Sequence, residues 1–174
     1  MRRNYYWSTA YVRVVSINVQ RLEVGPGNDE YVERAWRLKE RIRNEDGVLR
    51  QRKHFFTTAY RRSTVHLYID RSNDRLVGFA TVRQDGYILF LAVNPECRGQ
   101  GFGKRLVASV AEEHATVTCH ARTTNSGALG FYRNVGFEVQ RRIDSYYEDG
   151  GGAYYLQLGE QERLRDRLAS LLRR

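Results

Sequence analysis

The chain has few cysteines and no long apolar run, and both shortages narrow the class of protein. Only two cysteines occur among 174 residues, too few for a disulfide framework. No stretch approaches the roughly 18 consecutive apolar residues of a membrane-spanning helix. The two arginines near the start are not followed by a continuous apolar segment, so we expect no secretory signal peptide. These absences favour a cytoplasmic domain that does not act on membranes.

Lysine is also scarce, since it supplies only three of the 29 basic side chains. The net charge of +9 favours anionic partners such as a coenzyme, a nucleic acid or a ribosome surface. Because the arginines are spread along the chain and form no single tract, we expect no dedicated nucleic-acid site. His54, His66 and His114 are isolated in the sequence, and no Cys/His/Asp group has metal-ligand spacing. We therefore expect no metal site.

The length and the hydrophobic fraction of 41% suit one domain with a single sizeable core. Residues 1–15 give no clear pattern and are expected to form an extension before a domain at 16–158. An apolar stripe in residues 159–174 predicts a C-terminal amphipathic helix packed on the same chain, and we expect a monomer or a weak dimer. The predicted strands are 17–24, 65–70, 76–83, 87–93 and 116–122, and the predicted helices are 28–44, 48–60 and one that ends near 114.

The most informative stretch joins the strand at 87–93 to the helix after it. Gly99, Gly101 and Gly103 leave the backbone bare, so that several N–H groups can converge on one anion. The following helix adds the positive end of its dipole at the same point. A P-loop is excluded because Lys104 is followed by Arg105 and not by Ser or Thr. This spacing predicts a pyrophosphate site, although a turn that merely needs glycine remains an alternative.

Two later segments add to this pattern. Residues 123–138 predict a short helix with Asn125 or Thr124 as N-cap and Gly136 as C-cap, followed by a strand. Residues 145–154 predict a last hairpin, with a pair of tyrosines before an acidic, glycine-rich turn. Each segment is also consistent with a purely structural role.

Together the three segments resemble the GCN5-related N-acetyltransferases. The order Arg-x-x-Gly-x-Gly, at Arg98, Gly101 and Gly103, matches the family's coenzyme A loop. The order Asn-x-x-Ala-x-x-x-Tyr-x-x-x-Gly-Phe, which starts at Asn125, matches its second cofactor segment. The tyrosine pair is similar to the final hairpin of the branch that acetylates protein N-termini, including ribosomal-protein-alanine acetyltransferases. The resemblance implies an α/β fold whose mixed, mostly antiparallel sheet is splayed at the cofactor strand and flanked by helices.

The resemblance also implies roles for individual residues, with acetyl-CoA as co-substrate. Tyr132 would protonate the leaving thiolate, and backbone N–H groups near Val93 would stabilise the oxyanion. Tyr146 and Tyr147 would hold the backbone of an incoming N-terminus. The implied cofactor-binding set is Leu91, Ala92, Val93, Arg98, Gly99, Gln100, Gly101, Phe102, Gly103, Lys104, Asn125 and Tyr132.

His120 is the candidate general base. The strand at 116–122 alternates, with apolar odd positions, so His120 lies on its polar face. One eukaryotic N-terminal acetyltransferase branch has a histidine at the matching place, paired with a tyrosine at the start of the cofactor strand, where Tyr87 stands here. A free α-amine has a pKa near 7.7–8.0 and a lysine amine one near 10.4, so only the α-amine is appreciably neutral at pH 7. A histidine with a pKa near 6.5 is therefore an adequate base for an α-amine. Cys97 and Cys119 are interpreted as structural.

The expected function is therefore acetyl transfer from acetyl-CoA to a protein N-terminal α-amine, by direct attack in a ternary complex. One alternative is an acetyltransferase for lysine side chains or small amines. Another, from a different class, is a non-catalytic acyl-CoA-binding or ribosome-associated module. Residues 45–54 do not match the family's substrate-side pattern, so the sequence leaves the first substrate residue undetermined.

Overall fold

The structure is a computed structural model that describes residues 18–159. The predicted extension at 1–15 and the predicted helix from residue 160 lie outside the described residues, so the proposed domain limits stay predictions. Within residues 18–159, no helix has the length and apolar character that crossing a membrane would require.

Within residues 18–159, seven strands form a single mixed sheet, and four α-helices cover its two faces. Every strand pair is antiparallel except the fourth with the fifth, which is parallel. This confirms the predicted fold class. The strands are β1 Val19–Val24, β2 Thr64–Asp70, β3 Arg75–Val82, β4 Tyr87–Val93, β5 Thr118–Arg122, β6 Phe137–Ile143 and β7 Ala153–Leu158, in the sheet order β1-β2-β3-β4-β5-β7-β6, and the helices are α1 Val32–Asp46, α2 Lys53–Arg61, α3 Phe102–Glu113 and α4 Ser126–Val135.

The core has two layers, one on each face of the sheet. Helices α3 and α4 cover one face with residues such as Leu106 and Leu129, and α1 and α2 cover the other with residues such as Ile42 and Phe56. Strands β2 and β3 lie between the layers and are buried along almost their whole length. Both of their faces are therefore buried, and β2 also buries the polar side chains of His66 and Asp70.

The helices on the second face begin later than predicted. The helix predicted at 28–44 begins only at Val32, as α1. The Asn28 side chain instead accepts a hydrogen bond from the Glu30 N–H at 2.8 Å, which forms a local turn that competes with helix. The predicted helix at 48–60 likewise begins only at Lys53. The end of α1 at Gly47, which has a φ of 71°, follows the usual glycine C-cap.

The hairpin predicted at Asp85-Gly86 joins β3 to β4 and also positions β5. Gly86 has a φ of 79°, and a Cβ on it would lie 2.0 Å from the Thr116 carbonyl oxygen. The Gly86 carbonyl accepts a hydrogen bond from the Thr118 N–H at 3.2 Å. The close approach that glycine allows therefore brings the start of β5 beside the start of β4.

Replacing Gly86 with alanine should destabilise the fold, because both the positive φ and the contact with Thr116 penalise a side chain. Gly27→Ala is the matched control, since Gly27 has a φ of 86° but open space around it. We expect a lower Tm for Gly86→Ala, corresponding to a loss of about 2–4 kcal/mol, and a loss of about 1 kcal/mol for the control. Equal losses in thermal denaturation would contradict the packing role of Gly86.

Candidate functional site

The site begins where the sheet opens between β4 and β5. In the described part of the chain these strands pair at only two positions, Tyr87 with Thr118 and Ile88 with Cys119. Beyond Ile88 the strands diverge, so one edge of β4 is left without a neighbouring strand. The splay expected at this strand is therefore confirmed.

The glycine loop lies at the far end of the same strand. A short 3-10 turn, Pro95–Cys97, is capped by the Asn94 side chain and leads into the loop. Gly99 and Gly101 have φ angles of 75° and 83°, and an added Cβ at either would meet nothing within 4 Å. These glycines are therefore needed for the backbone conformation, and the loop is open on its outer side.

Helix α3 presents its N-terminus to that open side. Its N-cap is Gly101, which has no side chain to satisfy the first N–H groups. These groups and the helix dipole favour an anion at this end. Lys104 lies in the first turn and adds positive charge. The loop thus fits the pyrophosphate of a coenzyme.

Gly103 has a different role from the other two loop glycines. A Cβ at this position would lie 2.9 Å from the Phe131 ring of α4 and 3.7 Å from the Val93 side chain. Gly103 therefore lets α3 pack closely against both α4 and the end of β4.

Arg98, which is expected to bind the cofactor, pairs with Asp46 at the end of α1, with Nη2 2.6 Å from Oδ2. Both side chains are partly exposed. Such exposed pairs contribute little to stability, so an incoming anion can compete with Asp46 for the guanidinium.

The second cofactor segment is confirmed as a capped helix. The Asn125 side chain accepts a hydrogen bond from the Ala128 N–H at 3.0 Å, and α4 ends at Gly136 with a φ of 107°. Of the two predicted N-caps, Asn125 is therefore the one used. Since its oxygen is engaged in the cap, its amide N–H groups remain the part that can donate to a ligand.

His120 lies where β4 and β5 begin to diverge, and three tyrosines surround its ring. Its Nδ1 is 2.8 Å from the Tyr87 hydroxyl. The Tyr146 ring stacks on the imidazole, with centroids 4.4 Å apart and planes 11° from parallel, and the Tyr155 ring lies at 5.0 Å. The structure therefore joins His120, Tyr87 and Tyr146 in one group, of which the sequence predicted only the first pair.

Burial shifts the pKa values of His120 and Tyr87 in opposite directions. Loss of solvent lowers the pKa of His120, and the positive charge of Arg141 adds to the effect. Burial, with a hydrogen bond to Tyr146, raises the pKa of Tyr87 above its ordinary value. At neutral pH the imidazole is therefore neutral and able to accept a proton, and the phenol keeps its proton.

Tyr132 lies on the buried side of the same opening. Its ring packs against Phe131 and Phe137, and its hydroxyl lies beside the Cys119 thiol. Burial and this thiol raise the pKa of Tyr132 well above its ordinary value. Burial also raises the pKa of Cys119 to about 12, and neither Cys119 nor Cys97 forms a disulfide. The thiols are therefore poor nucleophiles, and the Tyr132 hydroxyl keeps a proton to donate.

The loop between β6 and β7 is fixed to β5 by a residue that the sequence analysis missed. Arg122 places its guanidinium 3.9 Å from the Tyr147 ring centroid and pairs with Asp149 at 2.9 Å. Asp149 also pairs with Arg50, from the segment between α1 and α2, at 3.4 Å. Arg122 follows His120 by two residues on β5, so both side chains lie on the same face of the strand. That spacing is the sequence feature from which the position of Arg122 could have been inferred.

Comparisons with known proteins agree with this geometry. Residues 29–137 match the family model of the acetyltransferase (GNAT) family. A splayed sheet with a glycine loop at the helix N-terminus defines a coenzyme-binding α/β domain, and this chain belongs to the acetyltransferase (GNAT) family. The family resemblance predicted from the sequence is confirmed.

Several relatives are N-acetyltransferases by name. The chain is 32% identical over 112 residues to a peptidyl-lysine N-acetyltransferase of Salmonella typhimurium, covering 59% of this chain and 76% of the relative. It is 28% identical over 100 residues to N-alpha-acetyltransferase 30 of Schizosaccharomyces pombe, covering 50% of this chain and 67% of the relative. An uncharacterised N-acetyltransferase of Methanocaldococcus jannaschii is 32% identical over 95 residues, covering 49% of this chain and 61% of that protein. The chain spans only 28% of a longer relative from Mycobacterium leprae.

Solved structures show the same fold. Ard1 of Thermoplasma volcanium matches with a TM-score of 0.65 and 21% identity, covering 80% of this chain and 95% of that structure. The ribosomal-protein-S18-alanine N-acetyltransferase of Escherichia coli matches with a TM-score of 0.64 and 19% identity, covering 80% and 93%. NAA60 of Arabidopsis thaliana, solved in complex with acetyl-CoA, matches with a TM-score of 0.60 and 20% identity, covering 80% and 98%.

Proposed function

We propose that this chain transfers the acetyl group of acetyl-CoA to the α-amine of a protein N-terminus, by direct attack in a ternary complex. One observation carries the proposal: a neutral imidazole, His120, lies 2.8 Å from the Tyr87 hydroxyl at the point where the sheet of an acetyltransferase fold opens. Two substrates can enter such an opening from opposite faces, one along the glycine loop and one past the tyrosines.

The cofactor end of the opening supports this arrangement. The amides at 99–104 and the N-terminus of α3 would hold the pyrophosphate, with Arg98 moving from its exposed partner Asp46. The pantetheine arm would then run along the free edge of β4, past the amide of Asn125. Residues Leu91, Ala92 and Val93 would provide the backbone groups that line it.

Backbone alternation on β4 supports an oxyanion site. The N–H groups of Phe90 and Asn94 donate toward β3, to the Thr81 hydroxyl at 3.1 Å and the Val77 carbonyl at 2.8 Å. Because successive N–H groups of a strand point to opposite edges, those of Leu91 and Val93 face the opening. A thioester oxygen placed there would receive preorganised donors as negative charge develops on it.

A proton path from the amine leads through the tyrosine–histidine pair. In the tautomer whose Nδ1 carries no proton, the Tyr87 hydroxyl would donate to Nδ1 of His120. Its oxygen could then accept a proton from the substrate ammonium, directly or through a water, as its own proton moves to Nδ1. The neutral amine then attacks the thioester carbon and its nitrogen becomes cationic. As the carbon–sulfur bond breaks, the Tyr132 hydroxyl protonates the departing thiolate. The cationic nitrogen loses its surplus proton to water, and Tyr132 regains a proton from solvent. General acid and base groups placed in this way each contribute roughly 10²–10⁴-fold.

An α-amine suits this base better than a lysine does. With ordinary pKa values of 7.7–8.0 against 10.4, the neutral fraction at pH 7 is about two orders of magnitude larger for the α-amine. Tyr146, which is 42% exposed above His120, and Tyr147 are placed to bond the backbone of an extended N-terminus. The fission-yeast relative, named an N-alpha-acetyltransferase, supports the same substrate class.

A lysine side chain is the second candidate substrate, because the Salmonella relative, of which the chain covers 76%, is named a peptidyl-lysine N-acetyltransferase. Both substrates would use the same cofactor loop and the same His120. The difference lies at the tyrosine side, where a lysine would enter through its side chain and not through a chain end.

Peptides that differ only in the blocking of their α-amine discriminate between the two substrates. Short peptides with one internal lysine are offered with either a free or an acetylated N-terminus, and product is located by mass spectrometry. We expect kcat/KM to be about two orders of magnitude higher for the free N-terminus, with acetyl on the α-amine. Acetylation of the lysine alone, at equal rates in both series, would overturn the α-amine assignment.

His120→Ala should lower kcat by roughly 10²-fold while acetyl-CoA still binds, because the base is removed and the glycine loop is untouched. A general base works above its pKa, and burial lowers that of His120, so the acid limb of the parent kcat profile should lie below pH 6.5 and disappear in the variant. Calorimetry with acetyl-CoA and a pH–rate series provide the two readouts. His54→Ala, at an exposed position on α2, is the control. A variant with parent activity and an unchanged profile would contradict the assignment.

Tyr132→Phe keeps the buried ring and removes only the hydroxyl. We expect kcat to fall by at least about tenfold with little change in acetyl-CoA affinity, since the proton donor acts on the leaving group. Tyr60→Phe is a matched control, because Tyr60 is also buried but lies in the other core layer, where its hydroxyl has no hydrogen-bond partner among the described residues. An unchanged kcat for Tyr132→Phe would reduce this residue to packing.

A further inference from the structure

Three potential metal ligands meet at the sheet edge, at the opposite end of α3 from the glycine loop. Glu23 of β1 and His66 of β2 are directly paired across the two antiparallel strands, and Glu113 lies in the last turn of α3. One ligand atom from each of the three lies within 4.8 Å of the others. Because the three residues come from separate elements, no spacing in the sequence predicts the group.

The histidine of this group is buried without a hydrogen-bond partner. His66 is 0% exposed, and neither ring nitrogen has a partner among the described residues. Its Nε2 lies 3.6 Å from a Glu113 carboxylate oxygen, and its Nδ1 lies 3.9 Å from a Glu23 carboxylate oxygen. Burial lowers the pKa of His66 to about 4. The imidazole is thus neutral, in the form that binds metals, and an unsatisfied nitrogen of this kind is costly to bury.

Around this group, the described carboxylates outnumber the basic side chains that pair with them. Among the described residues, Arg21 pairs with Glu112 at 3.2 Å and lies 3.9 Å from Glu113, so this guanidinium faces two carboxylates. Counted with Glu23, the four side chains carry a formal charge of −2 when all three carboxyl groups are ionised. The last turn of α3 contains no basic residue, and acidic side chains at that negative dipole end are unfavourable.

We propose that Glu23, His66 and Glu113 bind a divalent transition-metal ion of the Zn²⁺ type. Ligands lying about 2.0–2.2 Å from a tetrahedral Zn²⁺ are about 3.4 Å apart. The 3.6 Å between Nε2 of His66 and the Glu113 oxygen is close to this separation. One nitrogen and two carboxylates form a mixed donor set, which favours Zn²⁺ over the all-oxygen environments of Mg²⁺ and Ca²⁺.

Such an ion would have a structural and not a catalytic role. It would join the end of α3 to the β1–β2 edge of the sheet, about 18 Å along the 12-residue helix from the glycine loop. A water could complete the coordination, because Glu23 and Glu113 are partly exposed. Metal binding should therefore stabilise the fold without entering the acetyl-transfer step.

Zinc binding by the full chain tests the proposal directly. Protein without an affinity tag is stripped with EDTA and titrated with ZnCl₂ in a calorimeter at pH 7.5, and Tm is measured with Zn²⁺, with Mg²⁺ and with EDTA. We expect one Zn²⁺ per chain, a Kd in the micromolar range, a Tm raised by several degrees with Zn²⁺, and no change with Mg²⁺.

Glu113→Gln should weaken zinc binding by at least about tenfold, because it removes a charged ligand. Glu112→Gln is the matched control, since this neighbour lies on the same helix and pairs with Arg21 outside the group. The test does not require His66 to be replaced, so a buried position that the fold depends on is left intact. Absence of saturable zinc binding by the parent, or equal losses in Glu113→Gln and Glu112→Gln, would overturn the proposal.

Discussion

The structure depends on where the pairing between β4 and β5 stops. Parallel hydrogen bonds join the strands only as far as Ile88 and Cys119, in the described part of the chain. Beyond that point β5 keeps its full length of pairing with β7, and β4 keeps its pairing with β3. Each strand is thus held on its outer side, and the gap cannot close. The free edge of β4 and the half-buried position of His120 on β5 both follow from this constraint.

The two ends of helix α3 differ in charge, and only its N-terminal end lies beside the opening. Its N-terminus, capped by Gly101, presents unsatisfied N–H groups to an anion. Its C-terminus places Glu112 and Glu113 at the negative end of the dipole, beside the buried His66. The helix is therefore prepared for an anion at one end and for a cation at the other. Its middle packs against β2 and β3 and keeps these ends fixed in the fold.

Local chemistry was predictable from the sequence, and long-range contacts were not. Strand β4 was predicted to the residue, and the C-caps at Gly47 and Gly136 follow from glycine's tolerance of positive φ. The start of α1 was wrong because Asn28 satisfies a nearby N–H in a turn as readily as in a cap. The Tyr146 stack on His120 and the pairing of Arg98 with Asp46 could not be predicted, because their partners lie 26 and 52 residues away.

Two segments meet beside the opening, the one between α1 and α2 and the turn before β7, and the contacts that hold them differ in strength. Lys39 is fully buried in α1, where its ammonium donates to the Gln51 carbonyl and lies 4.6 Å from the Trp36 ring centroid. Removing one partner of a buried charge is costly, so the segment between α1 and α2 is firmly fixed from below. The pair of Arg50 with Asp149 is exposed and weak. The Lys39-anchored segment and the glycine-rich turn before β7, which Arg122 fixes to β5, therefore meet through a weak contact.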